Sequence, residues 1–123
     1  MVEFALVVPV LMLLVVGVFE FGRAWNAHQA VTDAAREGAR IAVIADPAIT
    51  EDSVRKVVRN ALSAVSLNAD LAVIQLTGVN DPTGEPARVE VKYPYQLTFL
   101  KTLGGTSGGG AVTLGTAFVM RNE

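Results

Sequence analysis

Cysteine is absent from these 123 residues. That excludes a disulfide framework and thiol chemistry, and it leaves the redox compartment open, because an extracellular protein need not use disulfides. Histidine occurs once, as His28. No metal-ligand spacing, nucleophile–base pair, phosphate loop or dinucleotide fingerprint is present, so we expect no enzyme and no cofactor. Charge of one sign is also scarce: 10 basic and 12 acidic residues give a net charge of −2, so nothing points to nucleic acid or an anionic surface as a partner. The most telling lack is local. Between Phe4 and Phe19 no side chain is charged or hydrogen-bonding.

What fills that gap is MVEFALVVPVLMLLVVGVFEFGRAW, residues 1–25, with one carboxylate, Glu3, at its start and Glu20 only after the apolar run. Such a stretch cannot sit in water alone; it lies in lipid or is buried against other helices. A secretory signal peptide opens with basic residues and ends in a small-residue cleavage site, and neither is here. The first arginine is Arg23, beyond the run. A membrane span wants about 20 apolar residues, which Phe4–Phe19 supplies once Phe21–Trp25 sit in the interface. The absence of Lys or Arg before the run leads us to expect that a basic leader has been removed. Hydrophobic residues make up 51% of the chain and mean hydropathy is +0.42, high for a free soluble protein, and the residues after the run suffice for one small core.

Pro9 interrupts the run and removes a backbone bond to Ala5, while Gly17 is a second weak point in the helix. The helix is expected to continue through AWNAHQAVTDAAREGARIAVIA to Ala45. There Ala27, Ala30, Val31, Ala34, Gly38, Ile41 and Ala42 recur at three- and four-residue spacing, a stripe of small residues that admits close packing on the rest of the protein. Asp46-Pro47 ends it. Thr50 is an N-cap for a second helix over 51–66, whose apolar face is Val54, Val57, Val58, Ala61, Leu62 and Val65.

Three strands follow. Residues 71–79 read as a well-covered strand. Asn80 to Pro86 is turn chemistry. Arg88 to Tyr93 alternates, with Val89, Val91 and Tyr93 opposite Arg88, Glu90 and Lys92. Pro94 is expected to stop this strand or place it at an edge. Residues 96–101 carry no clear signal. Gly104 to Gly110 reads as a flexible loop. A last strand over 111–121 puts Val112, Leu114, Phe118 and Met120 on one side. The fold class is therefore α+β: a long N-terminal hydrophobic helix, one amphipathic helix and a small antiparallel sheet of three strands. Its division is expected at 1–45 (an apolar half, 1–25, and a packing half, 26–45) and 46–123.

The charged residues admit bland readings. Glu20 with Arg23, and Asp33, Arg36, Glu37 and Arg40 together, form a solvated helix face. His28 is a lone interfacial imidazole, Trp25 beside it suits a membrane-interface belt or a helix contact, and Asp81 and Glu85 are turn residues rather than a calcium site. Glu3 has two readings. It solvates at a membrane surface, or it pairs with a cation on a neighbouring copy, most naturally that copy's N-terminal amine. Taken alone, the residue favours solvation.

VEFALVVPVLMLLVVGVFEFGRAW, followed by AREGAR (Ala35–Arg40) and a terminal AFVMRNE, resembles the TadE-like family of pilins and pseudopilins, in the Tad (tight adherence) branch of the type IV pilus superfamily. The resemblance implies a precursor cut by a prepilin peptidase and a subunit held in the inner membrane, N-terminus inside. The pilus assembly machinery would then extract it into, or beneath, an extracellular filament. The filament core would be a bundle of such helices, built from copies of itself and possibly other pilins, and serving adhesion. Glu3 would match the family's near-N-terminal glutamate, paired between subunits. Phe4, Leu6, Val7, Val10, Leu11, Leu13, Leu14, Val18, Phe21 and Trp25 would pack the bundle, and Pro9 and Gly17 would be where the helix loosens. The family's glutamate stands at the fifth mature position and here it is third. Either two residues precede Met1 or the cleavage register differs. The alternative reading is a membrane-anchored extracytoplasmic binding module, or a minor pseudopilin that does not form the shaft.

Overall fold

A computed structural model describes residues 2–44, 46–81, 84–103 and 110–122. Met1, Ala45, the turn residues Pro82 and Thr83, residues 104–109 and Glu123 lie outside the described residues, and so does most of the expected Gly104–Gly110 loop. In chain order the elements are α1 (Val2–Ala42), α2 (Glu51–Ala64), a 3₁₀ turn (Ala69–Leu71), β1 (Val73–Thr77), β2 (Pro86–Gln96), α3 (Thr98–Leu103) and β3 (Ala111–Arg121). The three strands form one antiparallel sheet in the order β1-β2-β3.

At 1.5 Å per residue α1 is about 60 Å long, and the two halves of it live in different surroundings. Its buried residues, Ala27, Val31, Ala34, Ala35, Gly38, Ala39 and Ala42, all fall in the C-terminal half, which packs against α2, β2 and β3. Ala30 and Ile41, expected in the same stripe, are half-buried, and Ala35 and Ala39 are buried beside it. Small residues matter here because α2 comes very close. A Cβ added to Gly38 would lie 2.5 Å from Val58 Cγ2 and 3.4 Å from Val89 Cγ1. Val58 and Val89 are themselves fully buried, so the glycine of AREGAR is where helix, helix and sheet meet.

α2 starts on a capping box: Ser53 N–H donates to Thr50 Oγ1 at 3.3 Å, and Thr50 N–H donates to Ser53 Oγ at 3.4 Å. It ends at Ala64, two residues before the expected end. Ser66 adopts φ +62°, Leu67 N–H donates to Leu62 O and Ser66 N–H to Ser63 O, the hydrogen-bond pair of a Schellman closure. Val54, Val58 and Leu62 make its buried face. Arg55 Nη1 crosses to β1 and donates to Ile74 O at 2.7 Å.

The sheet lays one face on these helices. Cross-strand rows on that face are Ile74–Val91–Thr116 and Leu76–Val89–Phe118, continued by Ala87–Met120 and Tyr93–Leu114. The opposite face carries Arg88, Glu90 and Lys92, as the alternation predicts. One expectation about the strands needs correction, and another is decided between its alternatives. β1 is neither as long nor as covered as read: residues 69–71 turn as 3₁₀, and Val73, Gln75 and Thr77 are exposed, because β1 is an edge strand with helix on one side only. Of the two readings of Pro94, the edge position holds: it does not stop β2, which runs on to Gln96. β1 pairs no further than Lys92, so beyond that point β2 has only β3 as a neighbour, and a residue without an N–H breaks no ladder on the open side. Past Gln96, where the sequence carried no clear signal, Leu97 N–H donates to Gly110 O at 2.8 Å and α3 begins.

Asn122 ties the far end of the sheet together. Its Nδ2 donates to Gly78 O (3.2 Å) and Asp81 O (3.0 Å), and its backbone N–H donates to Glu85 O. Gly78 has φ +76°, and a Cβ there would meet Pro86 O. Only glycine closes that turn.

Candidate functional site

The surface that stands out is the free half of α1. From Val2 to Phe21 no residue is buried, and Phe4 (74% exposed), Leu6 (73%) and Val10 (67%) project as they would from an isolated helix. Val7, Leu11, Leu13, Leu14, Val18, Phe21 and Trp25 are exposed as well. Among the described residues, none of the residues expected to pack a bundle is buried. Soluble monomers rarely expose a contiguous apolar patch beyond a few hundred Å². α1 is long and apolar enough to cross a membrane; its first 20 described residues extend about 30 Å, the thickness of a bilayer's hydrocarbon core. Membrane anchoring is what such a helix supports.

Glu3 sits in the first turn of α1, where the helix dipole favours a carboxylate, and makes no ion pair among the described residues. α1 runs unbroken through Pro9 and Gly17 in the single chain. A Cβ at Gly17 would meet nothing within 4 Å, so no neighbour among the described residues requires that glycine.

Where the apolar half of α1 reaches the head, Glu20 turns inward. Its side chain is only 13% exposed. Oε2 accepts from Thr98 N–H, the first amide of α3, at 3.1 Å, and Oε1 accepts from Arg23 Nη1 at 3.5 Å. The sequence offered Glu20 only as a surface partner of Arg23. The missed signal is its depth: a carboxylate at the last turn of an apolar run has to find donors. At this link lies a largely apolar groove of about 480 Å³, lined by Gly17, Glu20, Phe21, Ala24, Trp25 and His28 of α1 and by Leu97, Phe99, Val112 and Leu114. Trp25 stacks on Phe21, with centroids 6.3 Å apart, and on its other side lies His28 at 6.2 Å.

The charged turns of α1 form i,i+3 pairs, Asp33–Arg36 at 3.9 Å and Glu37–Arg40 at 3.2 Å, all well exposed. Pairs of this kind contribute tenths of a kcal/mol. Arg36 also lies over the Phe118 ring, 5.2 Å from its centroid, and so ties helix to sheet through a cation–π contact. Among the described residues no three His, Asp or Glu side chains are grouped to hold a metal. Asp81 serves the turn by accepting from Asn122. On the outer sheet face, hydrogen bonds from Lys92 and then Arg88 hold the Glu90 carboxyl below the usual carboxylate range. What this arrangement offers chemically is association.

Comparison with known proteins bears on α1 alone. Residues 1–40 match the family described as TadE-like protein. No curated protein and no solved structure gives a significant match. Over those residues the chain is similar to the TadE-like family.

Proposed function

We propose that this chain is a structural pilin subunit of a Tad, type IV-like pilus, which polymerises non-covalently through the free half of α1 and carries its small α+β head on the filament surface. The single observation behind this reading is the combination of a helix exposed on every side over about 30 Å with one carboxylate, Glu3, at its tip. Before assembly that helix is held in the inner membrane. After assembly it lies among sister helices in an extracellular filament that serves surface attachment.

The energetics favour pairing as the organising force. Moving the helix from lipid to a bundle exchanges one apolar setting for another, so the hydrophobic effect contributes little and packing and polar contacts decide the outcome. Glu3 would supply the polar contact by accepting the N-terminal amine of an adjacent copy. Once both groups are out of water, removing one partner costs about 3–5 kcal/mol. Phe4, Leu6, Val7, Val10, Leu11, Leu13, Leu14, Val18, Phe21 and Trp25 would supply the packing. Pro9 and Gly17 are where the helix would loosen on entering the bundle, the one because Ala5 O has no amide partner, the other because glycine is a poor helix former.

Replacing Glu3 with alanine tests the reading. The expected result is normal membrane insertion with loss of the chain from sheared surface fibres, quantified by mass spectrometry. Unchanged incorporation, or no fibre containing the chain in the unaltered strain, would instead support a membrane-anchored extracytoplasmic binding module or a minor pseudopilin outside the shaft.

A further inference from the structure

The groove at the junction of stalk and head has a definite depth once α1 spans a membrane, and this inference rests on that reading. Counting from Val2, the hydrocarbon core takes up about 20 residues of helix and ends near Phe21. Glu20 is therefore at the membrane boundary, and so is whatever Glu20 holds. It holds α3 by the Thr98 amide. α3 and Leu97 before it are pinned against the last turn of the span, not out in water with the rest of the head.

Three features fit that depth. The groove's walls are mostly apolar, with Glu20 and His28 among them, and the lining reaches Gly17 and Phe21 in the exposed half of α1. The carboxylate beside it has its charge answered by Thr98 N–H and Arg23, which is what allows a carboxylate to stay at the edge of hydrocarbon. Trp25, half-exposed at the rim, stands one turn above Phe21, where indole rings anchor helices to the headgroup layer. We propose that, in the unassembled subunit, Leu97, Phe99 and the start of β3 form a foot set into the membrane interface, and that the groove between this foot and α1 is filled by a phospholipid acyl chain. The head then does not swing freely above the bilayer. It stands on it, and leaving the membrane for a filament exposes this groove along with the helix.

Depth-dependent fluorescence quenching tests the proposal on the full chain in phosphatidylcholine vesicles. Trp25 is the sole tryptophan, so Trp25→Phe gives a dark background into which Phe99→Trp, or Leu14→Trp as a control for the span, is introduced. A nitroxide near the lipid headgroup is expected to quench the indole from Phe99→Trp about twofold or more above aqueous iodide, whereas a nitroxide near the chain terminus quenches the indole from Leu14→Trp. If the control is quenched while the indole at 99 is open to iodide and blind to both lipid labels, the span stands and the foot is refuted. If the control is not quenched either, the membrane reading falls and the proposal with it. If the indole at 99 is shielded from lipid label and iodide alike, and opens to iodide when the protein is diluted in lipid, a second copy fills the groove and the proposal is wrong.

Discussion

Adding a single methyl group at Gly38 is expected to destabilise the head, against the rule that alanine is the better helix former. On an open helix face, glycine to alanine gains about 1 kcal/mol. Gly38 is not on an open face. The new Cβ would lie 2.5 Å from Val58 Cγ2, with Val89 Cγ1 at 3.4 Å and Val54 Cγ1 at 3.7 Å. Val58 is fully buried, and a valine in a helix has one favoured rotamer, so its methyl cannot swing away. The helices must part or Val58 must leave its rotamer. Overpacking of this kind costs about 1–3 kcal/mol. Gly38→Ala should therefore lose about 1 kcal/mol net, read as a melting temperature lower by about 4–8 °C for a head of this size, in detergent, followed by circular dichroism.

The decisive measurement is the double-mutant cycle. Val58→Ala alone removes two buried methyl groups and should cost about 2 kcal/mol. In that background the obstructing Cγ2 is gone, and Gly38→Ala should change sign and stabilise by up to about 1 kcal/mol. A Gly38→Ala that stabilises the unaltered protein, or one whose effect is the same in both backgrounds, refutes the close approach of α1 and α2 at this point.

Two further outcomes follow from local geometry. Ser66 closes α2 at φ +62°, a conformation glycine adopts freely, so Ser66→Gly should raise stability by about 0.5–1 kcal/mol; a loss in urea unfolding would mean the hydroxyl has a role that the closure does not show. Glu90 titrates below its ordinary value because Lys92 and Arg88 favour its charged form, so its contribution is fully present above the unfolded carboxylate range and is lost as pH falls through the depressed folded value. Glu90→Gln should leave stability in acid unchanged, lower it slightly at neutral pH and so flatten the acid limb of the stability–pH curve; an unaltered acid limb contradicts the pairing.

The apolar helix, the α2 face, the alternation of β2 and the span of β3 were legible because each depends on a periodicity that burial on one side imposes. Edge effects were not. Pro94 reads equally as a strand stop or an edge position until it is known that pairing with β1 reaches no further than Lys92, and residues 71–79 read as a covered strand until β1 proves to be an edge with a 3₁₀ turn before it. Ser66 ends α2 by a left-handed closure that serine seldom adopts, so the helix looked two residues longer. At the candidate site, the apolar residues and Glu3 were visible as a run of types, whereas the link from Glu20 to Thr98 joins positions far apart in the chain and leaves no local trace.

Hydropathy alone determined that the first half of α1 has no place in water, since no arrangement of the remaining residues could cover a helix that is oily on every side. It also determined where a carboxylate would stand at the tip, because the order of residues along a rigid helix is their order in space. Only the folded molecule decided that Gly38 is a contact between α1, α2 and β2, that Glu20 carries α3, and that a groove opens where stalk meets head. Those depend on which surfaces the sheet brings together, and proximity between distant segments is set by packing.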